Sequence, residues 1–233
     1  MKRIFFLMIT SCLFLTSCID GDDPKPFFYG FATVEKNSLL GYVSFESDLD
    51  ESGKGSVYKA LNDVDPKDQL KDGDRVYMSC TIEKDYGNSN YDVTVNSSSL
   101  NLAKPISVDA VAPEGKKDVF INLNQSYISK DARQRVFLNM SVSYSTKTDN
   151  SDTFVLAYNT ADQDAENPSR IVLKLKHYQK EEMGTTPNVN DVLAFNLNTL
   201  PNADSKTSIE KTLVIKYTSY DDTEKTVELP YKY

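Results

Sequence analysis

The stretch "RVYMSCTIEK", Arg75–Lys84, decides the fold class. Val76, Met78, Cys80 and Ile82 fall on one side of an extended chain and Arg75, Ser79, Thr81 and Glu83 on the other, the period of two that a half-buried strand requires. The same alternation returns in Val136, Leu138, Met140 and Val142, in Ile171, Leu173 and Leu175, in Leu193, Phe195 and Leu197, and in Val227, Leu229 and Tyr231. One face of each run is apolar and the other polar, as in antiparallel sheets that keep one side wet. The expectation is an all-β chain.

Turn residues separate these runs. Asp72-Gly73 precedes one strand, Tyr86-Gly87-Asn88 lies between two, and "SYDDTEK" joins the last two as a hairpin. The best helix candidate is "DPKDQLKDG", with Asp65 as N-cap, Pro66 at the first helical position and Gly73 at the end. Alternation lapses in "DAVAPEGKKD", Asp109–Asp118, where Pro113, Glu114 and Gly115 cluster with charges. A division there gives residues 27–112 five strand-like runs and a short helix, which suit a Greek-key barrel of the OB type. Residues 113–233 then hold seven runs, which suit an antiparallel β-sandwich.

The N-terminus carries an address. Lys2 and Arg3 precede an apolar run from Ile4 to Ser17, too short for a hydrocarbon core that needs ~20 residues of helix. Residues 1–17 therefore read as a signal peptide. The junction Leu15-Thr16-Ser17-Cys18 resembles the bacterial lipobox, whose cysteine is acylated and becomes the first mature residue. A rival junction ending at Cys12 would leave "LFLT" stranded on the mature chain. Residues 18–26 form an acidic tether in which Asp20, Asp22 and Asp23 are candidates for a surface-export signal, as well as a solvated spacer kept extended by charge and by Pro24 and Pro26. The expected location is the outer membrane, facing the cell surface, with the membrane as a partner through the lipid anchor.

The formal charge is −8, and loss of Lys2 and Arg3 makes the mature chain more acidic still. Without a basic cluster larger than pairs such as Lys116-Lys117, nucleic acid is excluded as a partner. Of three cysteines, Cys12 leaves with the signal and Cys18 takes the anchor, so Cys80 has no intramolecular disulfide partner.

The lipobox and tether, the block "LKDGDRVYMSCTIEKDYGNSNYDVTVN" (Leu70–Asn96) and the closing "KTLVIKYTSYDDTEKTVELPYKY" (Lys211–Tyr233) together resemble the NigD-like lipoproteins of Bacteroidota, named from a bacteriocin operon. The resemblance implies an N-terminal OB-like domain, a C-terminal β-sandwich and a role of the bacteriocin-immunity type. It implies no catalytic residues and transfers only the lipobox, onto Cys18.

The residues themselves offer no catalytic, cofactor or metal site. His177 is the sole histidine and no Gly-x-Ser-x-Gly elbow accompanies it, so it reads as a barrel-rim or sandwich-edge residue. Cys80 sits in phase with Met78 and Ile82 and reads as a small buried hydrophobe. "DQDAEN", Asp162–Asn167, begins like a calcium loop but lacks its glycine and its closing glutamate, and reads as a solvated turn. Asp48, Asp50 and Glu51 lie together in a Gly-Ser loop and read as solvent-facing. Fourteen tyrosines and eleven phenylalanines form a surplus, with Tyr58, Tyr77 and Tyr178 on the polar phase. Cross-strand packing is the first explanation, and a docking surface the second. The expectation is a non-catalytic surface protein that binds a protein or peptide, with a glycan as the alternative ligand.

Overall fold

A computed structural model describes residues 24–37, 42–65, 67–99, 102–146, 152–180, 187–201 and 210–231. Cys18, Asp20, Asp22 and Asp23 lie outside the described residues.

Five strands close into a barrel: β1 (Phe27–Asn37), β2 (Tyr42–Ser47), β3 (Val57–Ala60), β4 (Arg75–Asp85) and β5 (Asn90–Ser98), in the order β1-β2-β3-β5-β4. The β3–β5 pair is parallel and the other pairs are antiparallel. The alternation in β4 is realised, because Val76, Met78 and Cys80 are fully buried beside Ala32, Val34, Phe45, Val93 and Val95. No ordinary helix forms among the described residues between β3 and β4. The Asp65 carboxylate accepts the amides of Gln69 at 2.6 Å and Leu70 at 3.0 Å, and these amides are then lost to a helical ladder. Asp68 turns left-handed at φ +50°, and Leu70 drops into the barrel core.

Among the described residues, ten strands make the sandwich. One sheet has the order β6 (Ala103–Pro105), β13 (Val189–Asn196), β10 (Val136–Tyr144), β9 (Asn122–Lys130). The other runs β15 (Glu224–Tyr231), β14 (Lys211–Thr218), β12 (Arg170–Gln179), β11 (Thr153–Tyr158), β7 (Ser107–Val108), and β8 (Lys117–Val119) pairs with the end of β12. Leu138, Met140, Leu156, Leu173, Leu175, Phe195, Leu213 and Ile215 fill the space between the sheets. Strands β6 and β7 pair with β13 and β11, so the sandwich takes in residues well before Pro113 while the last barrel strand ends at Ser98. The lapse of alternation at Asp109–Asp118 is thus a loop inside the sandwich. Two strands of three and two residues are too short to carry a readable period. Ile106, between them, points into the core as the chain crosses from one sheet to the other.

Barrel and sandwich meet through polar groups, among them Arg75, which the alternation placed on the polar face of its strand. Arg75 and Thr33 lie on the outer phase of β4 and β1, yet both are buried because the sandwich covers them. Arg75 makes a bidentate ion pair with Asp48, donates to Ser129 Oγ at 3.3 Å and Asn139 Oδ1 at 3.2 Å, and lies over the Phe137 ring. Asp48 is therefore a structural partner, not a solvent-facing loop acid. From the β9–β10 hairpin, buried Asp131 accepts Thr33 Oγ1 at 3.1 Å and the Arg135 amide at 2.8 Å, while Arg133 reaches Glu35 at 2.9 Å and Asp72 at 2.8 Å. Gly73 closes this seam at φ +85°, and a Cβ there would stand 2.6 Å from Arg133 Nη1.

Candidate functional site

Covering one flank of the barrel leaves another open. Strands β2, β3 and β5 turn Tyr42, Lys59, Asn90 and Asp92 outward, and the β4–β5 turn adds Tyr86, lining a groove of about 280 Å³. The turn is built by Gly87, Asn88 and Ser89, all at positive φ, with the Tyr86 amide donating to the Asn90 carbonyl at 3.0 Å. The Tyr86 hydroxyl donates to Asp92 Oδ2 at 2.6 Å, which fixes the ring's outer end. Lys84 Nζ lies 4.4 Å from the centre of the Tyr86 ring, and Lys59 Nζ lies 4.8 Å from that of Tyr42. Both lysines hold their charge over a ring face at the edge of the groove, and Asp92, the cross-strand partner of each, sets a carboxylate between them. This set can meet an extended or amphipathic ligand through aromatic surface, the Lys59 ammonium, the Asn90 amide and the Asp92 carboxylate, with the Lys84 ammonium beside Tyr86 at the edge.

A second cavity of about 390 Å³ lies at the seam, lined by loop residues that include Lys54, Gly55, Asn88 and Gln134. It has no aromatic wall.

The residues singled out from sequence are dispersed. His177 is fully buried in the sandwich rather than at a rim or edge, stacked on Phe154 at 4.4 Å and packed against Tyr144 at 4.7 Å. Its Nε2 meets Asp152 Oδ1 at 2.8 Å, and Gln179 donates to the same oxygen at 2.6 Å. Burial outweighs Asp152 and pulls the imidazole pKa below its ordinary value. Cys80 lies in the barrel core, where burial pushes its thiol up to about 11. Asp50 accepts Ser52 Oγ at 2.7 Å and the Lys54 amide at 3.0 Å, so it shapes its loop, and Glu51 beside it is exposed. In "DQDAEN", Asp162 accepts Lys174 Nζ at 3.0 Å and Gln163 pairs with the backbone of Val172. No cluster of three or more metal-ligating side chains occurs among the described residues.

The aromatic surplus resolves into several roles. Tyr58 faces into the barrel, between Phe28 at 4.5 Å and Tyr91 at 5.3 Å, and Tyr178 is buried in the sandwich. Tyr77 packs edge-on against Phe31 at 5.0 Å, beside the seam. Tyr42, Tyr86 and Tyr91 line the groove, Tyr91 with its ring stacked on Tyr58. Sequence had no means of selecting them, since their meeting depends on the parallel β3–β5 pairing.

Residues 109–231 match the model of the NigD-like C-terminal beta sandwich domain. No curated protein matches the chain. Among solved structures, it resembles a Bacteroides vulgatus protein of unknown function, described by the domain name DUF1344, at TM-score 0.62 and 17% identity over 89% of this chain and 92% of the other. A candidate lipoprotein of Bacteroides fragilis follows at TM-score 0.58 and 16% identity, over 89% and 99% of the two chains. A NigD-like immunity protein of Bacteroides caccae aligns at TM-score 0.57 and 13% identity, over 89% and 97%. At these identities the structural likeness establishes the shared barrel-plus-sandwich fold. The family match covers more than half of the sequence, and the chain belongs to the NigD-like family.

Proposed function

We propose that this protein is a lipid-anchored, surface-facing binding protein without catalysis of its own, in which Cys18 carries the anchor and the barrel groove takes a peptide or protein partner. The observation that carries the reading is the groove. On the flank that OB barrels use for ligands, an acidic chain presents two tyrosine rings overlain by lysine ammonium groups. Such a rim, with Asp92 between the lysines, favours a partner that offers charged groups of both signs beside apolar surface. The immunity description of the Bacteroides caccae relative suggests that the partner is a bacteriocin.

The test is protection. A bacteriocin-sensitive host expressing the full chain survives challenge with supernatants of bacteriocin producers, and the Tyr42→Ala/Lys59→Ala variant, equally abundant and equally anchored, loses that survival. Equal survival with and without the protein overturns the immunity reading. The alternative ligand is a glycan, favoured by Asn90 and Asp92 beside tyrosine in the groove; retention of an oligosaccharide by the protein, abolished by the same variant, selects it.

The address has its own tests. Mass spectrometry of the mature N-terminus finds acylated Cys18, and Cys18→Ala releases or mislocalises the protein. Replacement of Asp20, Asp22 and Asp23 by alanine leaves the protein anchored but shielded from protease added to intact cells, if charge is the export signal. Unchanged cleavage makes them a spacer.

A further inference from the structure

The outer phase of β1 begins with two rings that are largely exposed among the described residues. Phe27 is 69% exposed and Tyr29 65%, and the rings stack with centroids 6.1 Å apart and planes 20° apart. Their partners on β4 are Thr81 and Ser79, which bond to Asn96 at 3.1 Å and Ser97 at 2.9 Å. The pair thus stands on an uncharged floor of hydroxyls and amides, bordered by the ion pair of Lys25 with Glu83. In a chain with 26% charged residues, a neutral floor beneath two exposed rings is an apolar contact surface with a polar surround.

Its place along the chain says what it meets. Cys18 and Phe27 are nine positions apart. A tether of that length reaches at most about 30 Å when extended, and about 15–18 Å as a flexible coil. We propose that Phe27 and Tyr29 form a membrane-contacting foot, with both rings entering the boundary between headgroups and acyl chains of the bilayer that carries the Cys18 anchor. This rests on the anchored reading. Tyr29 suits that boundary because one end of its ring is apolar and its hydroxyl hydrogen-bonds to water and headgroups, while Phe27 adds purely apolar surface on the acyl side. The uncharged floor beneath the rings lets them approach the bilayer without stripping water from a charged group.

The chain has no tryptophan, so Phe27→Trp supplies a single emitter. In the protein from Cys18 onward, Cys80 is buried, which leaves Cys18 for coupling to a maleimide-headgroup lipid in phosphatidylcholine vesicles. The Phe27→Trp emission shifts to the blue and is quenched by lipids brominated in the upper acyl chain. The control is Tyr220→Trp, on a residue packed on Phe120 near Ser145, where β10 ends after running nine residues, about 30 Å, from its start beside the hairpin that grips the barrel. It is not quenched. Tyr29→Trp repeats the measurement should Phe27→Trp fail a folding check by circular dichroism. Unquenched emission at both positions 27 and 29, or equal quenching at 220, overturns the foot. So does a blue shift produced without vesicles by protein concentration or by soluble oligosaccharide, which would assign the rings to a second copy or to a glycan. Because the lipid is attached chemically, these outcomes judge the foot alone, and the mature N-terminus found in cells judges the anchor.

Discussion

Arg75 shows how one side chain can define a joint. Its guanidinium is fully buried, and the bidentate Asp48 contact, the sandwich acceptors Ser129 and Asn139 and the Phe137 ring replace the water it has lost. Arg75→Ala should destabilise the protein by about 3 kcal/mol, because it strands the Asp48 carboxylate. The Arg75→Met/Asp48→Leu double variant should lose much less than the two single changes summed, and urea unfolding of the four proteins measures this. Additive losses would refute the coupling. His177 makes a different prediction. Burial lowers its folded pKa below the ordinary 6.5, so its neutral form contributes stability fully above that pH. This contribution is lost as pH falls and the unfolded chain takes up the proton first, with a slope of at most about 1.4 kcal/mol per pH unit. Unfolding midpoints from pH 8 to 5 should fall more steeply for the parent than for His177→Gln. At this scale the sequence was only partly legible. Cys80 lies where its in-phase neighbours Met78 and Ile82 place it. Arg75 occupies the polar phase of the same strand and is buried all the same, because what covers that phase comes from residues more than fifty positions away.

The β9–β10 hairpin is the element that carries the joint. Asp131, Arg133 and Arg135 occupy its turn, and the Lys130 carbonyl accepts the Leu49 amide at 2.8 Å, so side chains and backbone both reach the barrel. The two ionic contacts differ in solvent exposure. Asp131 is buried and accepts Thr33 Oγ1, the Arg135 amide and Arg135 Nε. Asp131→Ala should therefore cost about 3 kcal/mol. Arg133 and its acids are half exposed, and Arg133→Ala should cost about 0.5 kcal/mol. Chemical denaturation separates the two, and equal losses would contradict the assignment. Long strands were readable wherever one face is buried, since period two then governs five or more residues. The segment Asp65–Gly73 misled because its cap-like aspartate closes a turn on Gln69 and Leu70 and leaves no helical ladder. The groove lay beyond reach for a topological reason: parallel β3–β5 pairing sets Lys59 opposite Asp92, and no local pattern encodes that partner.

Across the whole molecule, the chain between barrel and sandwich is not a free linker. Ala103–Pro105 and Ser107–Val108 pair with β13 and β11, and Lys117–Val119 pairs with β12, so both sides of the Pro113–Lys116 loop are held in the sandwich. A protease that cuts within this exposed loop should leave a nicked particle that still runs as one body in size exclusion and separates only in denaturant. Two bodies released under native conditions would refute the continuous sandwich. The same pairing orders the birth of the fold. A chain emerging from its N-terminus has every barrel partner once Ser98 is out, whereas Ala103 waits for Ala194 and Ser107 for Ala157. The head can round up while the rest is still a set of open edges, and closing the long loops that bring those edges together is the slow part. Messages cut short between β9 and β13 would make a folded head trailing unpaired strands, a shape prone to stick to its own copies. The two halves thus share one risk, settled only when the final third of the polypeptide arrives.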